Sequence, residues 1–121
     1  MGNEARGVIQ NFWHVQNNRD YAALVELFTD DAVLQDPIMG IKQGIGEIKA
    51  FMETMNVSTK DLGLHFETLE ISGDSETAWC RWVAVTQKGR AEGCGIYKTS
   101  SGKISYYRDY YDVEEFKKAV S

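Results

Sequence analysis

The stretch that decides the fold is Gly102-Lys103-Ile104-Ser105-Tyr106-Tyr107-Arg108-Asp109-Tyr110-Tyr111-Asp112. Its aromatic residues favour a strand, and the glycine at its start is typical of a turn. Because side chains alternate between the two faces of a strand, Tyr107, Asp109 and Tyr111 share one face. A carboxylate between two rings is costly to desolvate, so this face predicts a functional site with a perturbed Asp109 pKa. The alternative is that Asp109 is a solvated charge on an outer face.

Composition restricts the class of protein. The 121 residues, 43% apolar and 26% charged, predict one folded domain, residues 1–121. A net charge of -5 without a basic run argues against nucleic acid as a partner. No apolar run has the length of a membrane span, and the N-terminus lacks the apolar segment of a secretory signal, so we expect a cytoplasmic protein. Cys80 and Cys94 form no C-x-x-C motif and the histidines are isolated, so neither a disulfide nor a metal site is expected.

The first half of the chain predicts three helices, because apolar residues recur there at intervals of three and four. The first helix begins at Asn3. Asp20 is a suitable N-cap for the second, whose buried side extends to Phe28. A glycine-rich loop, Met39 to Gly46, precedes the third helix, and Phe51 belongs to its buried stripe.

The second half predicts strands joined by short turns. Four segments form an antiparallel meander, at 64–71, 77–87, 92–98 and 102–112. An earlier segment, Ala32 to Ile38, is a short strand, and Asp112 with Glu115 predicts a capping box for a C-terminal helix that ends near Val120. The fold class is therefore α+β, with three N-terminal helices on a curved antiparallel sheet around a cone-shaped interior.

Arg81 is unexpected in a strand of valines, where it shares a face with Val83. If it points inward it needs an anion, and Asp109 on a nearby strand would supply one. The alternative places Arg81 on the outer face, with its stem over Trp82 or a dimer partner.

Asp36 lies between Leu34 and Ile38 on a face that is otherwise apolar, which favours a functional role. The alternative is local: an Asp-Pro pair often begins a turn, and the carboxylate then caps backbone N–H groups.

Three segments carry a family resemblance: Thr29-Asp30-Asp31-Ala32-Val33-Leu34-Gln35-Asp36-Pro37, then Gly44 to Met52, and the closing Gly102 to Asp112. Together they resemble the nuclear transport factor 2-like superfamily, and within it the ketosteroid isomerase, SnoaL-like polyketide cyclase and limonene epoxide hydrolase branches. The resemblance implies a cone-shaped α+β barrel, cystatin-like in architecture. One such scaffold hosts many reactions as well as non-enzymes, so the resemblance specifies the fold more than the activity.

The similarity to limonene epoxide hydrolases implies roles for individual residues. Asp109 corresponds to the water-activating aspartate, Tyr107 to the neighbouring aromatic wall and Arg81 to the bridging arginine. Val83 stands where the acidic aspartate would be, so the proton donor of that family is missing.

The similarity to ketosteroid isomerases is also incomplete. Asp36 corresponds to the proton-shuttling aspartate, but Phe12 replaces the tyrosine of the oxyanion hole and there is no protonated acid near Cys94. Each missing donor would cost about 3 kcal/mol of transition-state stabilisation, so a standard steroid isomerase is not expected.

The sequence therefore predicts a cofactor-independent acid–base enzyme acting on a small hydrophobic molecule, with an epoxide hydrolase-, isomerase- or cyclase-like reaction. Asp109 is the predicted base, Arg81 its orienting partner and Asp36 the second carboxylate. The rival is a non-catalytic ligand-binding or dimerisation module. An open pocket that ends at Asp109 favours the enzyme, and a sealed aromatic interior favours the rival. The residues predicted to line the substrate pocket are Tyr107, Phe12, Trp13, Leu34, Val83, Phe51 and His65.

The outer sheet face predicts a homodimer. Trp82, Cys94 and Ile96 would supply an apolar surface there, and large apolar groups on an exposed sheet mark a contact surface.

Overall fold

The computed structural model describes residues 4–120. In that range four helices are α1 Glu4–Asn17, α2 Tyr21–Val25, α3 Ile45–Thr59 and α4 Val113–Val120. Six strands are β1 Phe28–Asp36, β2 Gly40–Gln43, β3 His65–Gly73, β4 Thr77–Thr86, β5 Gly89–Ser100 and β6 Lys103–Tyr111. Within the described residues, no helix is long and apolar enough to cross a membrane. Asn3, the predicted start of the first helix, lies outside them.

The six strands form one sheet in the order β2-β1-β6-β5-β4-β3. The predicted meander of β3 to β6 is antiparallel, as expected. The sheet as a whole is mixed, because β1 pairs parallel to β6, with Leu34 opposite Tyr107. Its edges β2 and β3 do not pair with each other, so the cone is open and is not a closed barrel.

The core lies between the helices and one face of this sheet. In α1 the buried residues are Ala5, Ile9, Phe12, Trp13 and Gln16, which is one stripe of the helix. The Phe12 ring meets the Tyr107 ring edge-on at 5.4 Å, so α1 covers the inner side of β6. This contact places the Tyr-rich strand with its Tyr107 side toward the helices, as the alternation of side chains predicts.

Two predicted elements around β1 are wrong in their bounds. The second helix has only five residues, and Phe28 begins β1 because its buried ring belongs to the sheet, opposite Ile104. The predicted loop contains β2, which pairs with β1 after a turn in which Gly40 has a φ of 79°. A positive φ suits glycine, so the turn that the sequence predicted as irregular is a hairpin.

The predicted N-cap residues are in place, whereas the Glu115 side chain of the predicted capping box bonds to β5. The Asp20 carboxylate accepts a hydrogen bond from the Ala23 N–H at 3.1 Å, and the Asp112 carboxylate accepts from the Glu115 N–H at 2.9 Å. The Glu115 carboxylate accepts from the Glu92 N–H on β5, so it ties α4 to the sheet.

Candidate active site

A cavity of about 180 Å³ lies between the helices and the inner face of the sheet. Met39, Thr54 and Ser58 line one part of it and are exposed, so the cavity reaches solvent. Its polar wall includes Asp36, Asp109 and Tyr111. Of the described residues that line it, none is lysine, arginine or histidine. Most of the remaining lining is apolar: Phe12, Trp13, Leu34, Ile38, Phe51, Met52, Met55, Leu64, Phe66, Trp82, Phe116 and Val120.

Asp109 faces this cavity from the middle of β6, where it pairs with Gly95 of β5. Part of the residue reaches solvent, but the carboxyl atom Oδ1 is buried and finds no hydrogen-bond partner among residues 4–120. Burial raises the pKa of Asp109 well above its usual value, and the charge of Asp36 raises it further. The Tyr107 hydroxyl and the Trp82 indole N–H lower the pKa of Asp109, but by less than burial raises it. The environment therefore favours the neutral carboxylic acid.

Asp36 ends the neighbouring strand β1 and is 8% exposed. Its Oδ2 accepts hydrogen bonds from the backbone N–H groups of Ile38 and Met39, each at 2.9 Å. The local alternative for this Asp-Pro pair is thus confirmed, because the carboxylate caps the turn into β2. The same carboxylate also lines the cavity, so Asp36 and Asp109 share one pocket.

Tyr111 is the third member of this polar wall. Its hydroxyl donates to Asp36, 2.9 Å from Oδ2 and 3.0 Å from Oδ1. The ring packs on Phe116 with centroids 4.5 Å apart and on Trp82 at 5.9 Å. Burial, followed by the charge of Asp36, raises the pKa of Tyr111 and keeps the phenol protonated. Sequence reasoning gives Tyr111 only as a ring beside Asp109, although the two-residue spacing already places it on the same face.

Two glycines of β5 make room for this site. A Cβ on Gly95 would lie 2.7 Å from the Tyr97 hydroxyl and 3.1 Å from Asp109 Oδ1, and a Cβ on Gly93 would overlap the Trp82 ring. Glycine inside a strand often marks such a close approach. The spacing of Gly93 and Gly95 is therefore a sequence signal of this site. The alternation of side chains along the strand did not reveal it.

Arg81 does not point toward Asp109, and that prediction is wrong. It lies on the outer face of β4, where its guanidinium pairs with Glu70 and, at 3.3 Å, with Glu92. Its side chain is 46% exposed. The inner positions of β4 belong to Cys80 and Trp82, which bury apolar side chains at a lower cost than an arginine.

Three further predictions are wrong, because each residue lies on another face of the sheet or at another position than the sequence suggested. Val83 is buried on the outer side with Arg81 and does not line the cavity. His65 begins β3 with an exposed side chain, 3.6 Å from the Glu67 carboxylate. Trp82 is 1% exposed in the interior and cannot belong to an outer contact surface. The predicted pocket residues that do line the cavity are Tyr107, Phe12, Trp13, Leu34 and Phe51.

The chain is similar to known proteins in sequence profile and in structure. Residues 9–107 match the SnoaL-like domain family. No curated protein matches the chain in sequence.

Solved structures share the fold across most of the chain. An epoxide hydrolase of the limonene epoxide hydrolase-like kind from M. tuberculosis has a TM-score of 0.77 at 20% identity and covers 98% of this chain and 90% of its own. SalBIII, an epoxide hydrolase/cyclase-like enzyme of pyran ring formation in the polyether salinomycin, has a TM-score of 0.76 at 16% identity over 91% and 92% of the two chains. A protein from Kribbella flavida, proposed to be a ketosteroid isomerase, has a TM-score of 0.79 at 13% identity over 92% and 79%.

Proposed function

The chain belongs to the SnoaL-like domain family, within the nuclear transport factor 2-like superfamily, and from this premise we propose that it is an acid–base enzyme without a cofactor. Its substrate is a small, uncharged and mostly apolar molecule. The catalytic group is Asp109, which acts as a proton donor.

One observation carries this proposal: the buried Oδ1 of Asp109 has no hydrogen-bond partner among the described residues, and Asp109 lines an open, mostly apolar cavity. A buried polar atom without a partner is costly, and such atoms are rare unless a function uses them. A cleft that combines a perturbed carboxyl with apolar walls is a typical catalytic environment. The opening at Met39, Thr54 and Ser58 is the feature that favours an enzyme over a sealed binding module.

The cavity supports a neutral substrate. Two carboxyl groups line it, and the described lining contributes no lysine, arginine or histidine to balance an anion. Its volume of about 180 Å³ is below the roughly 300 Å³ at which pockets for drug-sized ligands begin. A molecule of a few fused or branched carbons with one or two oxygens is the class that fits.

Because Asp109 is neutral, its proposed role is that of a proton donor and not that of the base that the sequence predicted. With Arg81 on the outer face, no described cation holds Asp109 ionised, and the raised pKa suits a general acid. Its proton would go to the oxygen of an epoxide, ether or ketone as negative charge develops there. The epoxide hydrolase, cyclase-like enzyme and proposed isomerase that share the fold carry names consistent with such proton transfers.

Replacing Asp109 by asparagine tests the proposal, with a panel of cyclic epoxides and ketones followed by gas chromatography and by ligand-observed NMR. We expect the wild type to convert at least one compound, and Asp109→Asn to lose about 10² to 10⁴ of the rate while still binding it. Asp74→Asn, in an exposed turn and outside the cavity lining, is the control. Equal turnover by Asp109→Asn contradicts the assignment, and binding without any turnover by the wild type supports the binding module instead.

We retain the proposal of a homodimer through the outer sheet face, with Ile96 as expected and with Trp79 in place of the buried Trp82. Trp79 and Ile96 lie opposite each other on β4 and β5 and are 40% and 39% exposed. Sedimentation at micromolar concentration should give twice the mass of 13.7 kDa and should return to the monomer in Trp79→Ser/Ile96→Ser. A wild-type monomer would contradict this assembly.

A further inference from the structure

We propose that Tyr111, backed by Asp36, is a second proton-handling group of this cavity and accepts a hydrogen bond from a hydroxyl group of the substrate. The inference rests on the proposed function, since it adds to Asp109 the group that works beside it. It narrows the substrate to a molecule that carries a hydroxyl as well as an acceptor oxygen.

The role of Tyr111 as an acceptor follows from the direction of its hydrogen bond to Asp36. A phenol has one proton, and Tyr111 directs it to the Asp36 carboxylate, at 2.9 and 3.0 Å from the two oxygens. The backbone N–H of Ile38 also lies within hydrogen-bonding range of the Tyr111 oxygen. The phenol oxygen has two lone pairs, so one of them is left to accept from a ligand. A phenol that donates to a carboxylate is also polarised, which makes its oxygen a better acceptor.

Asp36 itself is held in place. Its Oδ2 receives the backbone N–H groups of Ile38 and Met39 in addition to the Tyr111 hydroxyl. The carboxylate cannot turn toward a ligand without breaking the turn that joins β1 to β2. Tyr111 is therefore the residue through which Asp36 acts on the cavity.

Tyr111 stands at a fixed separation from Asp109. The two residues are two positions apart on the inner face of β6, a rise of about 7 Å along a strand. The Phe116 and Trp82 rings both pack against the Tyr111 ring. The cavity thus presents a proton donor at Asp109 and an acceptor at Tyr111 on the same inner face of β6, so one small molecule with two oxygens can contact both.

The two groups can act together in one step on an epoxy alcohol. The substrate hydroxyl oxygen forms a bond to an epoxide carbon while the carbon–oxygen bond of the epoxide breaks. Asp109 gives its proton to the released oxygen. The hydroxyl proton passes to the Tyr111 oxygen as the Tyr111 proton passes to Asp36. The product is a cyclic ether alcohol isomeric with the substrate, and transfer of a proton from Asp36 to Asp109 through solvent restores the starting state.

Three probes that share the same ketone ring separate the two contacts: cyclohexanone, 4-hydroxycyclohexanone and 4-methoxycyclohexanone. The ketone oxygen tests Asp109, and only the hydroxyl compound can donate to Tyr111. Dissociation constants are measured by NMR titration of the wild type and the variants Tyr111→Phe, Tyr110→Phe and Asp109→Asn. Tyr110 is the matched control, because it is the adjacent tyrosine and is 41% exposed on the outer face.

We expect the wild type and Tyr110→Phe to bind the hydroxyl compound about five-fold more tightly than the methoxy compound, the effect of one hydrogen bond. Tyr111→Phe should bring this ratio to about one and leave the affinity for cyclohexanone unchanged. Asp109→Asn should keep the ratio and still bind all three compounds, because its amide N–H can donate to the ketone oxygen. A ratio near one in the wild type, or an unchanged ratio in Tyr111→Phe, overturns the inference.

The outcomes separate this inference from the proposed function. If Asp109→Asn turns over the compound panel as fast as the wild type, the proposed role of Asp109 fails whatever Tyr111 does. If Tyr111→Phe has an altered backbone NMR spectrum, Asp36→Asn replaces it in the same titration. An amide is a weaker acceptor than a carboxylate, so the ratio should fall there too, and a ratio equal to that of the wild type counts against the inference.

Discussion

Charged groups on the two faces of the sheet differ in their exposure and in their partners. On the outer face, Arg81 pairs with Glu70 and Glu92, and all three side chains are about half exposed. On the inner face, Asp109 has a buried oxygen without a partner among residues 4–120. Exposed ion pairs contribute little to stability, whereas a buried carboxyl oxygen without a partner is costly. The costly group is the one that indicates function, and the conspicuous ion pair is not.

The largest difference between the faces should appear in the two tryptophans of β4. Trp82 is 1% exposed and packs on the Trp13, Phe66, Tyr111 and Phe116 rings, whereas Trp79 is 40% exposed on the outer side. Trp82→Ala should lower the free energy of unfolding by about 3–5 kcal/mol. Trp79→Ala should lower it by about 0.5 kcal/mol or less within a monomer. Urea unfolding of both variants at low protein concentration measures the contrast, and similar losses would refute the assignment of the two faces.

A smaller effect is expected from the glycine beneath Asp109. In Gly95→Ala the new Cβ would lie within 2.7 Å of the Tyr97 hydroxyl and 3.1 Å of Asp109 Oδ1, so one of these side chains must move. Overpacking of this kind costs about 1–3 kcal/mol. Gly7→Ala is the matched control, because nothing lies within 4 Å of its Cβ in α1, and a helical alanine should add about 0.5–1 kcal/mol. Thermal unfolding should therefore shift in opposite directions, and a stabilised Gly95→Ala would contradict the close approach.

Strand alternation explains which parts of the site could be predicted. The spacing of Tyr107, Asp109 and Tyr111 fixed their common face without any knowledge of the fold. For β4 the same rule gave two possible faces, and the choice of the inner one for Arg81 relied on an expected partner. The apolar size of Cys80 and Trp82 was the better guide, because the interior accepts an indole more readily than a guanidinium.

Long-range pairing explains what the sequence could not supply. The parallel contact of β1 with β6 brings Asp36 beside Asp109, although the two residues are far apart in the chain. Nothing in the local pattern of either strand encodes this partner. The Tyr111–Asp36 hydrogen bond depends on that pairing, so it could be found only in the structure.

The buried Asp109 and the exposed Asp74 should also change the free energy of unfolding with pH in opposite directions. The pKa of Asp109 is raised, so its native state binds a proton that the unfolded chain releases above about 3.8. The wild type should therefore lose stability relative to Asp109→Asn as pH rises from 3.8 toward the raised pKa, with a slope of up to about 1.4 kcal/mol per pH unit. Below pH 3.8 this pH-dependent loss should be absent.

Asp74 should show the opposite dependence of stability on pH. Backbone N–H groups of Glu76 and Thr77 lower its pKa, so its contribution to stability is present above the unfolded pKa and is lost as pH falls through the lowered value. Asp74→Asn should therefore lose stability relative to the wild type as pH rises through that range. Unfolding curves between pH 3 and 8 test both variants, and a common sign would show that Asp109 is not held in its neutral form.

The smallest effect should come from Arg81, the residue that the sequence placed at the centre of the site. Its guanidinium contacts Glu70 and Glu92 on the outer face, and it does not line the cavity. Replacement by leucine removes an exposed ion-pair network that salt already screens, and leaves two carboxylates in solvent. The melting temperature and turnover of Arg81→Leu should therefore stay close to those of the wild type, with any small difference vanishing at high salt. Measuring both in parallel with Asp109→Asn makes the comparison direct. A loss of activity in Arg81→Leu comparable to that in Asp109→Asn would mean that the outer face reaches the chemistry, and the separation of the two faces would have to be abandoned.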